Sequence, residues 1–124
     1  MEYLFIIIGG GIGALLRYLS GNLINSSFKI NFPLGTFFVN CIGALLIGFF
    51  INIFDRYTIN LKYKLFIITG FLGGYTTFSA YSLETAQYLS NGNIKQALLN
   101  ITLNNIACIL FVFMGLWINR IVFK

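Results

Sequence analysis

Four apolar runs dominate this chain, and each is long enough to cross a lipid bilayer. A helix rises about 1.5 Å per residue, so roughly 20 apolar residues cross a hydrocarbon core of about 30 Å. The runs cover residues 3–25, 34–54, 65–89 and 97–118, and only short connections separate them. We therefore predict an all-α membrane protein with four transmembrane helices in a single domain, residues 1–124.

The composition supports a membrane protein over a soluble one. Hydrophobic residues make up 58% of the 124 residues and charged residues only 9%, which is more apolar surface than a soluble fold of this size can bury. Arg17 lies inside the first run and no basic segment precedes that run, so we interpret it as a retained helix and not as a secretory signal. The net charge of +5 is scattered over helix ends and loops, so binding to nucleic acid is not indicated.

Residue types that commonly catalyse reactions or bind metals are scarce. The chain has no histidine and three acidic residues, and its two cysteines, Cys41 and Cys108, fall in different spans without CxxC spacing. Free cysteine in such positions usually fills space as a small, weakly polar side chain. Since no nucleophile–base pair or side-chain metal cluster is evident, we do not expect an enzyme.

Positive charges are distributed unevenly between the two ends of the predicted helices. The end that carries both termini and the second loop has Arg56, Lys62, Lys64, Arg120 and Lys124. The opposite end has Lys29 and Lys95, with Arg17 close to it inside the first helix. The positive-inside rule favours cytoplasmic termini, but the bias is modest and leaves insertion in both orientations open.

Small residues in the first helix indicate close packing against another helix. Within GGGIGA, residues 9–14, the pairs Gly9/Gly13 and Gly10/Ala14 have small-xxx-small spacing. A phosphate-binding glycine loop would need a preceding strand and a Lys-Ser/Thr ending, and the sequence has neither.

Two of the predicted helices carry a polar stripe with one residue per turn. The stripes consist of Thr36, Asn40, Ala44 and Gly48 in the second helix, and of Asn100, Asn104 and Cys108 in the fourth. Such residues either hold neighbouring helices together or line a pore. A line of neutral donors without a carboxylate favours an anion over a cation as the permeating species.

The third run contains GGYTTFSAY, residues 73–81, which is unusual in the middle of a membrane span. Adjacent glycines and hydroxyl residues weaken a helix where lipid supplies no hydrogen bonds. We predict a break near Gly73 and Gly74, with freed carbonyls that could bind a structural cation. The hydroxyls of Thr77 and Ser79 can satisfy other groups at the break, while a simple glycine kink is the alternative.

Aromatic and charged residues lie beside this segment. Phe78 and Tyr81 project on one side of the continuing helix, where they either pack or turn their positive ring edges toward an anion. Glu84 lies one turn further along. Arg17 either snorkels or raises the local anion concentration at a vestibule.

Three segments together resemble the CrcB/Fluc family of fluoride channels: GGGIGALLRY, PLGTFFVNCIGALLIG and GFLGGYTTFSAYSLE. The resemblance covers all four spans. It implies a single transmembrane channel domain that forms an antiparallel, dual-topology dimer with two narrow pores in the cell membrane. A channel of this kind lowers cytoplasmic fluoride by passive export, so fluoride ion and membrane lipid are the expected partners.

The resemblance also implies roles for individual residues. The pore and anion-binding candidates are Phe78, Tyr81, Asn40, Thr36, Thr77, Ser79, Asn104, Cys108 and Asn100, of which those in the fourth helix are matched by spacing alone. Arg17 matches the family's vestibule arginine, and Glu84 its acidic residue after the aromatic pair. A structural sodium ion, which is not transported, would be held by the backbone carbonyls of Gly73 and Thr76.

This sequence departs from the family pattern in two places. Tyr81 stands where the family has a second phenylalanine, and the fourth helix lacks the usual tyrosine and serine. A homodimer and a heterodimer with a paired homologue both remain open. Rival functions are a proton-coupled exporter of small cations, for which only Glu84 could titrate, and a non-conducting structural partner.

Overall fold

The computed structural model describes residues 2–124, which are helical apart from short connections. The elements are α1 (Glu2–Ser27), α2 (Leu34–Arg56), α3 (Leu61–Lys64), a π-helical segment (Leu65–Leu72), α4 (Gly73–Tyr75), α5 (Phe78–Ser90) and α6 (Ile94–Val122). No strand occurs among these residues. The predicted all-α class is therefore confirmed.

Four crossings are formed from these elements, and one of them is composite. Helices α1, α2 and α6 are each long and apolar enough to span a membrane. The remaining crossing joins α3, the π-helical segment, α4 and α5, and non-helical backbone interrupts it only between α4 and α5. The prediction of four helices with a broken third helix agrees with this arrangement.

The chain hides polar side chains and exposes large apolar ones. Asn100 and Asn119 are completely buried, whereas Tyr3, Ile7 and Trp117 are more than 60% exposed, at 79%, 69% and 62%. This distribution would be unfavourable in water. In lipid it is expected, because hydrocarbon solvates apolar side chains and polar groups must find partners inside the protein.

Glycines allow α1 to lie directly against the third crossing. A Cβ atom at Gly9 would be 3.0 Å from Phe71 N, and one at Gly13 would overlap Phe71 O. Gly70 packs from the other side, since a Cβ there would lie 3.1 Å from the Cα of Gly9. Gly11 faces open space, so only part of the glycine cluster is needed for this contact.

Small residues and one amide also join α2 to α6. A Cβ at Gly115 would lie 2.7 Å from Phe49 N, and one at Gly48 would overlap Val112 O. Near the end of the pair, Asn119 Nδ2 donates a hydrogen bond to Phe49 O over 2.9 Å. This close packing fixes the polar stripes of the two helices side by side.

Candidate functional site

The third crossing is broken, but the break lies two to four residues after the position that the sequence suggested. Gly73 has helical dihedral angles (φ −63°, ψ −35°), whereas Thr76 and Thr77 are extended, with ψ of 158° and 115°. The glycines serve packing instead: a Cβ at Gly74 would lie 2.6 Å from Gly10 O. The predicted break near Gly73 and Gly74 is therefore present, but its non-helical residues are Thr76 and Thr77, and the two glycines themselves remain helical.

Asn40 of α2 holds the extended residues in place. Its Oδ1 accepts a hydrogen bond from Thr77 N over 2.8 Å, and its Nδ2 donates to Thr77 O over 3.1 Å. The hydroxyl of Thr77 then caps α5 by accepting from Ala80 N over 3.1 Å. A polar side chain from another helix thus replaces the hydrogen bonds that a continuous helix would make.

The same rearrangement releases the two carbonyls that the resemblance assigns to sodium. In a continuous α-helix, Thr77 N would donate to Gly73 O and Ala80 N to Thr76 O. Both amide groups donate elsewhere, to the side-chain oxygens at the break. Carbonyl oxygens are suitable ligands for a hard cation, so the residues present fit a bound ion at this position.

Arg17 lies beside the break. Its Nη1 donates to Thr76 O over 3.2 Å, so one lone pair of this carbonyl is already occupied. Arg17 also lines an open cleft of about 470 Å³ together with Thr36, Thr77 and Ser79. We call this the arginine cleft.

A second open cleft, of about 390 Å³, is also lined by Thr77. Its lining includes Asn40, Thr77, Phe78, Tyr81, Asn104 and Cys108, and we call it the aromatic cleft. The rings of Phe78 and Tyr81 have centroids 5.3 Å apart and planes inclined at 56°. Phe78 is 77% exposed in the single chain, so this cleft is open on its aromatic side.

The predicted residues of the fourth helix are divided between the cleft and the protein interior. Asn104 Oδ1 accepts a hydrogen bond from Asn40 Nδ2 over 3.3 Å, and Asn104 Nδ2 donates to Asn100 Oδ1 over 2.8 Å. Asn100 lies behind it, completely buried, and donates to Thr85 Oγ1 over 3.0 Å. The aromatic cleft is thus lined by Asn104 and Cys108, whereas Asn100 orients Asn104 from behind.

Glu84 is hydrogen-bonded to Thr36, a residue that lines the arginine cleft. Thr36 Oγ1 donates to Glu84 Oε1 over 2.5 Å, while Oε2 is buried and has no hydrogen-bond partner among residues 2–124. Glu84 also lines a small polar cleft of about 280 Å³ with Asn31, Tyr88 and Asn91, which we call the terminal cleft. The Thr36–Glu84 hydrogen bond therefore separates the arginine cleft from the terminal cleft.

Asn105 is a residue of this site that the sequence analysis did not identify. It lines the aromatic cleft, and its Nδ2 donates to Tyr81 Oη over 3.1 Å. It falls outside the stripe of every fourth residue because it follows Asn104 directly in the sequence. Its amide within an apolar span was the signal that could have identified it.

Fold and site together define a multi-pass helical membrane protein with polar clefts beside a broken crossing. The sequence model of the family described as "CrcB-like protein, Camphor Resistance (CrcB)" matches residues 4–116. The chain belongs to this family, which confirms the predicted resemblance.

Relatives extend over nearly the whole chain. A protein of Campylobacter fetus subsp. fetus is 40% identical over 120 residues, covering 96% of this chain and 94% of its own length. One from Clostridium perfringens is 46% identical over 121 residues (97% and 94%), and one from Methanococcus aeolicus is 42% identical over 114 residues (92% and 91%). All three are named fluoride-specific ion channel FluC, the name of a channel and not of an enzyme class.

Membership of this family and the apolar helices also define where the protein resides. It is a multi-pass protein of the cell membrane.

Proposed function

We propose that this chain is a fluoride-specific ion channel that lowers cytoplasmic fluoride by passive export. The choice of fluoride as the permeating ion comes from the names of the relatives. The observation that carries the proposal is the aromatic cleft, where Phe78 and Tyr81 lie beside the amides of Asn40 and Asn104. Positive ring edges and the Tyr81 hydroxyl can replace water around a small anion without the strong attraction of a full positive charge. The amides of Asn40 and Asn104 would donate to the anion only when one of their own hydrogen bonds opens.

The three clefts suggest a path for the anion. The aromatic cleft and the arginine cleft share Thr77, and the Thr36–Glu84 hydrogen bond lies between the arginine cleft and the terminal cleft. Arg17 would raise the anion concentration along this path. The hydroxyl groups of Thr77 and Ser79 share one hydrogen bond, so one of their two protons would be available as a donor between the aromatic cleft and Glu84.

The functional unit in this proposal is an antiparallel dimer. The exposed ring of Phe78 and the open side of the aromatic cleft support it, because an anion pathway must be shielded from lipid. The modest charge bias permits both orientations. A homodimer needs only this chain, so we place it ahead of a heterodimer with a paired homologue.

A structural sodium ion at the break belongs to the same proposal. The carbonyls of Gly73 and Thr76 would hold it, and the ion would supply a fixed positive charge between the two broken crossings of a dimer. Arg17 already donates to Thr76 O, so this carbonyl would be shared between the guanidinium group and the ion. The ion stabilises the assembly and is not transported.

Flux measurements with the single polypeptide test the proposal. Purified protein is reconstituted into vesicles loaded with fluoride, and efflux is followed with a fluoride electrode beside chloride-loaded vesicles. Rapid fluoride efflux with little chloride efflux is the expected result. Efflux only after a divergent second subunit is added would favour the heterodimer, and vesicles that stay tight with either composition would refute the channel.

One observation favours a second candidate, a proton-coupled exporter of small cations. Within the described part of the chain, one buried carboxylate oxygen of Glu84 has no hydrogen-bond partner, as a titrating group in a transport site could have. In that case Glu84→Gln would abolish proton-coupled cation efflux, and neither protein would conduct fluoride. Fluoride efflux from the unmodified chain without any pH gradient excludes this candidate.

A further inference from the structure

The hydroxyl of Tyr81 is held by a side chain from a different helix. Asn105 of α6 uses Nδ2 twice, donating to Ile101 O over 2.7 Å and to Tyr81 Oη over 3.1 Å. A backbone carbonyl only accepts, so the atom facing Ile101 O must be the amide nitrogen. Both hydrogens of this nitrogen are thereby assigned, one to the backbone of α6 and one to Tyr81.

This arrangement determines which way the tyrosine can donate. The amide nitrogen has no acceptor capacity, so Tyr81 Oη must accept from Asn105. The hydroxyl proton is then free, and residues 2–124 provide no acceptor for it. Both side chains line the aromatic cleft, where the ring of Phe78 is 5.3 Å from that of Tyr81.

We infer that Asn105 is a positioning residue for anion selectivity, which keeps the Tyr81 proton directed into the aromatic cleft as a donor to fluoride. The inference rests on the proposed channel function. A phenylalanine at position 81 would offer only a weakly positive ring edge, whereas a hydroxyl makes a short, charge-assisted hydrogen bond to an anion. The smaller fluoride ion gains more from such a bond than chloride does, because the charges approach more closely.

A second effect of the pair concerns the strength of this donor. A hydroxyl that accepts one hydrogen bond is polarised and donates more strongly through its own proton. Asn105 therefore both orients the hydroxyl and strengthens it. Because the pair carries no net charge, the anion is not trapped.

A double-mutant cycle tests the inference in reconstituted vesicles. Tyr81→Phe, Asn105→Ala and the double variant are compared with the unmodified chain for fluoride efflux and chloride efflux. We expect Tyr81→Phe to lower the fluoride-to-chloride ratio about tenfold, the size of one lost hydrogen bond to an ion. Asn105→Ala should lower it by a smaller factor, and should add nothing in the Tyr81→Phe background.

Two further variants separate this role from a structural one. In Asn105→Asp the carboxylate cannot donate to Tyr81 and would accept the tyrosine proton instead. The fluoride-to-chloride efflux ratio of this variant should therefore fall below that of Asn105→Ala. Thr102→Val is the control on α6, because Thr102 is exposed and hydrogen-bonds only to Leu98 O of its own helix. Size-exclusion chromatography establishes that each variant assembles.

The outcomes distinguish this inference from the proposed function. Vesicles that stay tight to fluoride both with the unmodified chain alone and after a divergent second subunit is added would overturn both. Fluoride efflux from the unmodified chain, with the same selectivity in Tyr81→Phe, would overturn the inference alone. Additive effects of Tyr81→Phe and Asn105→Ala, or full selectivity in Asn105→Asp, would show that Asn105 does not act through the hydroxyl.

Discussion

Asn40 and Thr77 exchange two hydrogen bonds, so that a side-chain amide of α2 is paired with the backbone of the broken crossing. The second N–H of Asn40 donates to Asn104 Oδ1. In the single chain this amide is therefore fully used in holding the break and the fourth-helix stripe. Any donation to an anion at this point would require one of these bonds to open.

Removing the Asn40 amide should disturb both stability and permeation. Asn40→Ala leaves Thr77 N–H and C=O without partners, at about 1–3 kcal/mol for each buried group. Asn40→Asp keeps an acceptor for the N–H but places a carboxylate against Thr77 O and Asn104 Oδ1. We expect lower thermal stability for the alanine variant and impaired fluoride efflux for both. Normal efflux from Asn40→Asp would remove Asn40 from the pathway.

Phe78→Ile should slow fluoride efflux without weakening the fold. The ring of Phe78 is largely exposed in the single chain, so replacing it removes few internal contacts. The substitution does remove a positive ring edge from the lining of the aromatic cleft. Efflux rates and elution volumes of the purified variant are the measurements. Phe113→Ile is the matched control, since Phe113 of α6 is 64% exposed and lies outside the three clefts. Equal rates in the two variants would contradict the assignment.

Two glycines of α1 should respond in opposite ways to alanine. Gly13→Ala places a methyl group against the backbone of Phe71 and Tyr75, and overpacking of this kind costs about 1–3 kcal/mol. Gly11→Ala meets nothing within 4 Å and gains up to about 1 kcal/mol in helix propensity. Thermal unfolding in detergent should show a lower transition for Gly13→Ala only. If Gly13→Ala and Gly11→Ala unfolded at the same temperature, the close contact of α1 with Phe71 and Tyr75 would not contribute to stability.

Sodium should stabilise the assembled protein if the break holds the ion. Binding to the folded state alone raises stability by RT ln(1 + [L]/Kd), so the unfolding temperature should rise with sodium concentration. Replacing sodium by N-methyl-D-glucamine at constant ionic strength removes this effect while preserving charge screening. An unfolding temperature that is the same in both salts would argue against the ion.

The sequence by itself determined the membrane-spanning character, the approximate spans and the family. These depend on local properties: apolar runs of sufficient length, glycine spacing, and motifs such as GTFFVN and GGYTTFS. In a bilayer such a run forms a helix whatever it packs against, because hydrocarbon offers no hydrogen bonds and the backbone groups must pair with one another. Residues 34–54, for example, could hardly form anything but a spanning helix.

Only the tertiary structure decided where the third crossing breaks and what each polar side chain does. Thr77 is non-helical because Asn40, 37 residues earlier, forms hydrogen bonds with both its backbone N–H and its backbone C=O. Asn100 is buried behind Asn104, and Asn105 reaches Tyr81 across 24 residues of sequence. Such pairings depend on how α2, α5 and α6 approach one another, and hydrogen bonds act over about 3 Å, so spacing along one helix cannot specify them.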